Sequence, residues 1–176
     1  MRCFSVVLAL VFVAAGASAP DTRPAGVAAA GAQELPVRPD VRGVWKVTEL
    51  ASRTPGAAWE VRAPPNLSQF IFTDKHYSYM YVPGADARKL FAGDPNRPTD
   101  AEKVEAYNSV VAATGTYSLS GHSLTMIALV HKNPNEMVGK ALTYTVETDG
   151  STMRMIIANP PFQPGTERRT VLTRVE

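Results

Sequence analysis

LSQFIFTDKHYSYMYV, residues 67–82, is the most informative segment of this sequence. It contains two runs rich in aromatic and branched residues, 67–73 and 76–82, which are typical of β-strands. Only the dipeptide 74–75 separates them, and so short a connection is characteristic of a tight antiparallel hairpin. The spacing therefore predicts two strands that are neighbours in one antiparallel sheet.

A two-residue turn also fixes the register, because antiparallel partners move away from the turn in step. The expected pairs are Thr73 with His76, Phe72 with Tyr77, Phe70 with Tyr79 and Ser68 with Tyr81. One face is then an aromatic ladder of Phe70, Phe72, Tyr77, Tyr79 and Tyr81. The other face carries Leu67, Gln69, Ile71, Ser78, Met80 and Val82. A hairpin that is largely apolar on both faces suits the wall of a barrel whose outside is covered.

Short β-type runs separated by turn residues continue from Pro39 to the end of the chain, which is typical of antiparallel barrels and sandwiches. Besides the hairpin, the predicted strands are 44–52, an edge strand near 59–62, 116–120, 123–131, 142–148, 152–158 and 169–175. This inventory predicts an all-β fold, a single antiparallel up-and-down β-barrel of about eight to ten strands with one α-helix.

The predicted helix follows Pro98. Thr99 occupies the N-cap position and Glu102 stands three residues later, which is the capping-box pattern. Gly115 is expected to end the helix. An apolar stripe at helical spacing is formed by Val104, Tyr107, Val110 and Val111. The stripe predicts that the helix packs across the outside of the barrel or over one of its mouths.

The first 17 residues have the character of a secretory signal peptide. Arg2 precedes an apolar run at 4–15, and small residues lead to Ala17, after which we expect cleavage. The run is too short to span a membrane stably, although a retained N-terminal anchor helix is the alternative. We therefore expect an exported protein, periplasmic or secreted, with no stable membrane span after cleavage.

Residues 18–40 are rich in Ala, Gly and Pro and show no helical or strand periodicity, so they are expected to form a flexible tether. The barrel domain is then expected at 41–176. Cys3 is the only cysteine and lies in the leader, so the mature chain has no disulfide and no thiolate. The fold must be stabilised by its core.

The charge pattern argues against a nucleic-acid partner. The chain has 18 basic and 16 acidic residues, a formal net charge of +2, and the basic residues are scattered. A nucleic-acid surface needs Lys and Arg clustered on one face. The sequence does not indicate an oligomeric state.

Five short motifs occur in order along the chain. They are GVWK at 43–46, FT at 72–73 with HYS at 76–78, PTDAE at 98–102 leading to AYN at 106–108, GTY at 115–117, and NP at 133–134. Together they resemble the bacterial lipocalin-like domain family. The resemblance covers about residues 41–175 and implies a small closed β-barrel with an internal pocket. Members of that family are largely without an assigned activity, so the resemblance implies a fold and leaves the function open.

The motifs of common catalytic sites are absent from the sequence. It contains no glycine-rich phosphate loop, dinucleotide fingerprint, G-x-S-x-G elbow or His-x-x-x-His pair. We expect no cofactor and no metal, and we favour binding of a small apolar molecule in a barrel pocket over catalysis. Two alternatives stay open: an isomerase, cyclase or hydratase that uses His and Tyr as acid and base, and a structural or interaction barrel with a filled interior.

Candidate ligand contacts lie at strand ends and hairpin corners, because a barrel mouth collects such residues. The candidates are His76, Tyr77, Ser78, Tyr79, Met80, Tyr117 and His131. The hairpin register puts Tyr77 and Tyr79 on the face opposite to His76, Ser78 and Met80. We favour the second set as the inward face, since this keeps the more polar face beside a ligand and lets the aromatic ladder pack under the helix.

Overall fold

The computed structural model describes residues 39–137 and 140–176. The predicted signal peptide at 1–17, and the predicted tether at 18–40 except for its last two residues, lie outside the described residues. The strands are β1 Gly43–Arg53, β2 Glu60–Arg62, β3 Ser68–Phe72, β4 His76–Tyr81, β5 Val111–Ser120, β6 Ser123–His131, β7 Ala141–Thr148, β8 Thr152–Ala158 and β9 Glu167–Arg174. One α-helix, α1, spans Asp100–Asn108 and a 3₁₀ turn spans Pro134–Glu136 in this part of the chain.

The sheet closes on itself because β1 has partners along both edges. One edge of β1 pairs with β9, from Trp45 opposite Arg174 to Arg53 opposite Glu167. The other edge pairs first with β3 and then with β2. From β3 to β9 every strand is antiparallel to the next strand in the chain. Eight strands therefore form a closed up-and-down barrel, and β2 is an exposed addition to β1, which confirms the predicted fold and the predicted edge strand.

The hairpin of β3 and β4 has the predicted register. The paired residues are Phe72 with Tyr77, Phe70 with Tyr79 and Ser68 with Tyr81. At the turn, the Thr73 backbone N–H donates to the His76 carbonyl at 2.9 Å. The two-residue spacing was therefore sufficient to fix the pairing of both strands.

The predicted orientation of this hairpin is wrong, because the aromatic ladder faces the inside of the barrel. Phe72 and Tyr77 are only 2% and 4% exposed, whereas Met80 is 57% exposed. His76 and Ser78 are exposed as well. Burial of large rings removes more apolar surface from water than burial of a serine and a methionine, so the hydrophobic effect favours this face inside.

α1 begins as predicted but ends earlier. The Glu102 N–H donates to Thr99 Oγ1 at 3.3 Å, and the Thr99 N–H donates to the Glu102 carboxylate at 2.8 Å, which completes the capping box. The helix stops at Asn108 and so leaves out Val110 and Val111, the second half of the predicted stripe, and none of its residues is buried. Val104 and Tyr107 are 60% and 49% exposed, so the predicted packing of an apolar helix face on the barrel does not occur.

Gly115 lies inside β5 and does not end the helix. The register with β6 shifts at this point, since Thr114 pairs with Val130 and Gly115 pairs with Ala128. A Cβ at position 115 would overlap the Ile127 carbonyl oxygen. The glycine therefore permits a close approach of two strands at a β-bulge.

Side chains fill one half of the barrel interior, which we call the closed half. Trp45 is fully buried there and closes one end of the barrel. Its Nε1 donates to the Val41 carbonyl at 2.8 Å, and the Arg174 guanidinium lies 4.2 Å from its ring centroid. The other fully buried side chains of this half are Leu124, Val146, Met153 and Leu172.

Candidate functional site

The other half of the interior, the open half, contains a cavity of about 290 Å³. Val47, Met126 and Met155 lie at its base. Each stands two residues after a fully buried residue of the closed half, namely Trp45, Leu124 and Met153. The cavity reaches solvent, because the exposed side chains of Lys140 and Phe162 lie at its rim. Its volume is near the lower end of the range of small-molecule pockets, about 300 to 1,000 Å³.

The open half is also where the chain makes its long connections. At the closed end, strands are joined by short turns at 73–75, 121–122 and 149–151. At the open end, the connections include 54–67 with β2, 82–110, the described part of the segment between β6 and β7, and 159–166. The strands thus build the wall of the cavity, and the connections shape its mouth, which is the usual division between scaffold and binding loops.

One wall of the cavity is formed by the rings of the aromatic ladder. Phe70 stacks on Tyr79 with ring centroids 4.8 Å apart, and Tyr79 stacks on Tyr77 and Tyr81 at 6.0 and 6.3 Å. These separations lie within the favourable range for offset stacked rings, about 4.5 to 7 Å. The stacking follows from the pairing of β3 with β4, which places alternate residues of both strands on one face. The result is a flat, packed apolar surface with phenol groups along it.

The phenols of this site are neutral at ordinary pH. Burial raises the pKa of Tyr77 to about 12, and it also raises the pKa of Tyr79 and of Tyr81. Tyr144, which faces the cavity from β7, has its pKa raised by burial as well. Each neutral phenol keeps an O–H group that can donate a hydrogen bond to a molecule in the cavity.

His131 lies at the end of β6 beside Tyr79, with 3.5 Å between Nε2 and the phenol oxygen. The Asn133 backbone N–H donates to His131 Nδ1 at 2.9 Å, and the Asn133 carbonyl oxygen lies 3.2 Å from the same nitrogen. The shorter contact requires an acceptor at Nδ1, which places the proton of the neutral ring on Nε2. The Nε2–H group is then directed at the phenol oxygen of Tyr79. This arrangement leaves the Tyr79 O–H free to point into the cavity.

Three charged side chains line the cavity: Arg168, Glu136 and Lys140. Arg168 is half-buried, lines the cavity together with the Tyr81 phenol and lies 5.2 Å from the ring centroid of Phe162. Glu136 belongs to the 3₁₀ turn at the mouth, where its negative charge contributes to the raised pKa of Tyr79. The lining is therefore apolar with a few polar groups near the mouth.

The seven candidate residues fall into three places. Tyr77, Tyr79 and His131 line the cavity. His76, Ser78 and Met80 lie on the outer face of the barrel, in keeping with the inverted orientation of the hairpin.

Tyr117 is in the third place, at the closed end. Its phenol donates to the Thr73 carbonyl, and its ring packs edge-on against Phe72 at 5.4 Å. The mouth position expected for Tyr117 is therefore wrong, because β5 runs from the mouth at Val111 toward the turn at 121–122.

Tyr144 and Arg168 are lining residues that the sequence reasoning missed. In β9 each set of alternate positions combines polar and apolar residues. One set is Arg168, Thr170 and Leu172, and the other is Arg169, Val171 and Thr173. Only the full burial of Leu172 shows that the first set points inward. A pattern of alternating apolar residues, the usual signal, is absent from this strand.

Two kinds of feature, a metal-binding cluster and a membrane-spanning helix, are absent from the described residues. Residues 39–137 and 140–176 hold no group of three or more His, Cys, Asp or Glu side chains placed to bind a metal ion. Within the same ranges, no helix has the length and apolar character needed to cross a membrane.

Among solved structures, the chain is similar to a lipocalin-like protein from Bacteroides uniformis, with 15% identity and a TM-score of 0.42. It is also similar to an uncharacterized protein from Bacteroides eggerthii, with 12% identity and a TM-score of 0.42. Each similarity covers 77% of this chain and 99% of the other chain. No family model matches the chain, and no curated protein matches it. Identities this low concern the fold alone, which the strand pairing above establishes independently.

Proposed function

We propose that the open half of the barrel binds a small, largely apolar molecule. The observation that carries this proposal is the cavity itself, which opens to solvent between the long connections. Its apolar lining includes Val47, Leu50, Phe70, Met126, Leu142, Met155 and Ile157. Ligand sites in proteins commonly combine such a lining with a few placed polar groups. Here the polar groups are the phenols, His131 and Arg168.

The unequal filling of the interior supports binding over a purely structural role. The closed half has fully buried side chains such as Trp45 and Leu172, so the barrel already has a core that stabilises it. The open half instead presents apolar side chains to solvent. A ligand that covered them would gain roughly 25 cal/mol for each Å² of apolar surface removed from water.

Acid–base catalysis has one observation in its favour, the contact between Tyr79 and His131. The hydrogen bond from Asn133 places the imidazole proton on Nε2, so the neutral pair presents donors to the cavity and no free base. A pair of donors suits recognition of an acceptor atom on a bound molecule. We therefore assign the pair to ligand orientation.

The proposal includes export of the protein to the periplasm or the medium. It is supported by the sequence of residues 1–17, with Arg2 before an apolar run and small residues after it.

Fluorescence titration with N-phenylnaphthylamine, an uncharged probe that brightens in apolar surroundings, tests the binding function. Ala128 lines the cavity, so Ala128→Trp should place an indole in the binding space and weaken binding by about tenfold or more. The matched control is Met80→Trp, which adds the same indole on the outer face, where Met80 is 57% exposed. This control should bind the probe like the unchanged protein.

Absence of probe binding by the unchanged protein would refute the function. Equal weakening by both indoles, or weakening by Met80→Trp alone, would show that the probe does not occupy the cavity. If Ala128→Trp fails to fold, Thr170→Phe fills the cavity from β9 and takes its place.

A further inference from the structure

Arg168 occupies a position where the barrel otherwise holds uncharged side chains. Along β9 the inward positions are Arg168, Thr170 and Leu172, and Leu172 is fully buried in the closed half. The guanidinium therefore enters the open half from the wall and shares the cavity with the aromatic ladder. A charged group beside apolar surroundings loses hydration, which is costly unless a partner replaces it.

The neighbouring arginines have such partners, and Arg168 does not. On the outer face, Arg53 binds Glu167 at 2.6 Å and Arg169 binds Glu49 at 2.7 Å. Among residues 39–137 and 140–176, no carboxylate lies within 4.0 Å of the Arg168 guanidinium. Its neighbours inside are the Tyr81 phenol and the Phe162 ring, both uncharged.

The other two charges of the cavity lie apart from this position. Glu136 belongs to the 3₁₀ turn at the mouth, and its carboxylate lies more than 4.0 Å from the Arg168 guanidinium. Lys140 is exposed at the rim. The wall of the cavity around Arg168 therefore has phenol groups beside the guanidinium and, among the described residues, no carboxylate in contact with it.

We propose that the ligand is an apolar molecule that carries a carboxylate, and that Arg168 binds this carboxylate inside the cavity. The proposal rests on the binding function proposed above and names the chemical class of the ligand. A guanidinium presents parallel N–H groups that match the two oxygens of a carboxylate. The Tyr81 phenol lines the same cavity and carries an O–H group that can donate to the same carboxylate. The apolar part of the ligand would then cover the aromatic ladder.

Displacement of bound N-phenylnaphthylamine by three eight-carbon compounds tests this assignment. Octanoate, octanamide and octylamine share one apolar chain and differ in charge, and each has about ten non-hydrogen atoms. All three compounds are smaller than the probe, so a cavity of about 290 Å³ that holds the probe also has room for them. Octanoate should displace the probe about tenfold to a hundredfold more effectively than octanamide, because hydrogen bonds to a charged partner are the stronger ones.

Arg168→Gln should remove this preference, so that octanoate and octanamide become equal while the probe still binds. The matched control is Arg154→Gln, which removes an outward arginine from the adjacent strand β8, where Arg154 pairs with Glu147 at 3.2 Å. This control should keep the preference for octanoate. If Arg168→Gln does not fold, Arg168→Lys takes its place. Lysine keeps the positive charge but lacks the parallel N–H groups of the guanidinium, so it should keep only part of the preference for octanoate.

The outcomes separate the two proposals. If the probe does not bind the unchanged protein, the binding function itself fails. If the probe binds but octanoate is no better than octanamide, the function stands and the assignment of Arg168 is overturned. A preference for octylamine would assign the charged contact to Glu136 and would also overturn it. A preference for octanoate that survives in Arg168→Gln would show that another group holds the carboxylate.

Discussion

Replacing Phe72 by alanine should lower the free energy of unfolding by about 3 to 5 kcal/mol. Phe72 is 2% exposed, meets the Tyr117 ring edge-on at 5.4 Å and lies 6.4 Å from the Tyr77 ring. A buried aromatic side chain removes about 150 to 250 Å² from water, which corresponds to about 4 to 6 kcal/mol at 25 cal/mol per Å². The measured loss should be somewhat smaller, because alanine keeps its Cβ and the unfolded chain is already partly compact.

Urea denaturation followed by far-ultraviolet circular dichroism measures this loss. The matched control is Met80→Ala, on the opposite face of the same hairpin, where the side chain is 57% exposed. Its effect should stay within about 0.5 kcal/mol, as for other surface substitutions. A costly Met80→Ala together with a nearly neutral Phe72→Ala would refute the inward orientation of the aromatic ladder.

Three further predictions concern pH, the bulge and the leader. Tyr77 holds its proton more tightly when folded, with a pKa of about 12 against 10.0, so stability present below pH 10 should be lost as the pH rises toward 12. Urea melts at stepped pH should show a fall of about 1.4 kcal/mol per pH unit for each such tyrosine, and a flat profile would contradict its burial. Gly115→Ala should cost about 1 to 3 kcal/mol in the same assay because its Cβ meets the Ile127 carbonyl, whereas Gly93→Ala, with no atom nearby, should be nearly neutral. Intact-mass measurement of the exported protein should show a chain that begins after Ala17, and a product that retains residues 1–15 would contradict cleavage there.

The sequence was sufficient for the strand pairing and for the barrel as a class. The two residues between the runs 67–73 and 76–82 left one register, and the turns at 121–122 and 149–151 located most of the later strands. These are local signals, in which the number of residues between strands determines the pairing. The capping box of Thr99 and Glu102 is local in the same sense.

The sequence could not decide which face of the hairpin points inward. Both faces carry apolar residues, so alternation gives no answer, and the choice depends on the six other barrel strands. Burial of the whole aromatic ladder decides it in the folded chain. The predicted C-terminal end of the helix was wrong for a related reason. Val110 and Val111 fit a helical stripe in the sequence, but Val111 pairs with Tyr81 of β4 and therefore belongs to β5.

The position of Arg168 depends on closure of the barrel. Its strand has no apolar alternation, and it enters the cavity because Leu172, four residues later, packs into the closed half. The cavity itself results from the contrast between a filled half and an unfilled half. No short segment of the sequence encodes that contrast, since the lining comes from several strands and two long connections.

Four of the methionines can report where a ligand binds, because they lie at three different depths. Met126 and Met155 line the cavity, Met153 is fully buried in the closed half and Met80 lies on the outer face. Titration of protein labelled at the methionine methyl groups with N-phenylnaphthylamine, followed by nuclear magnetic resonance, compares them in one sample. Binding in the open half predicts large ring-current shifts for Met126 and Met155, with little change for Met153 and Met80. Shifts confined to Met80, or no shift at Met126 and Met155 when the probe is bound, would contradict the proposed site.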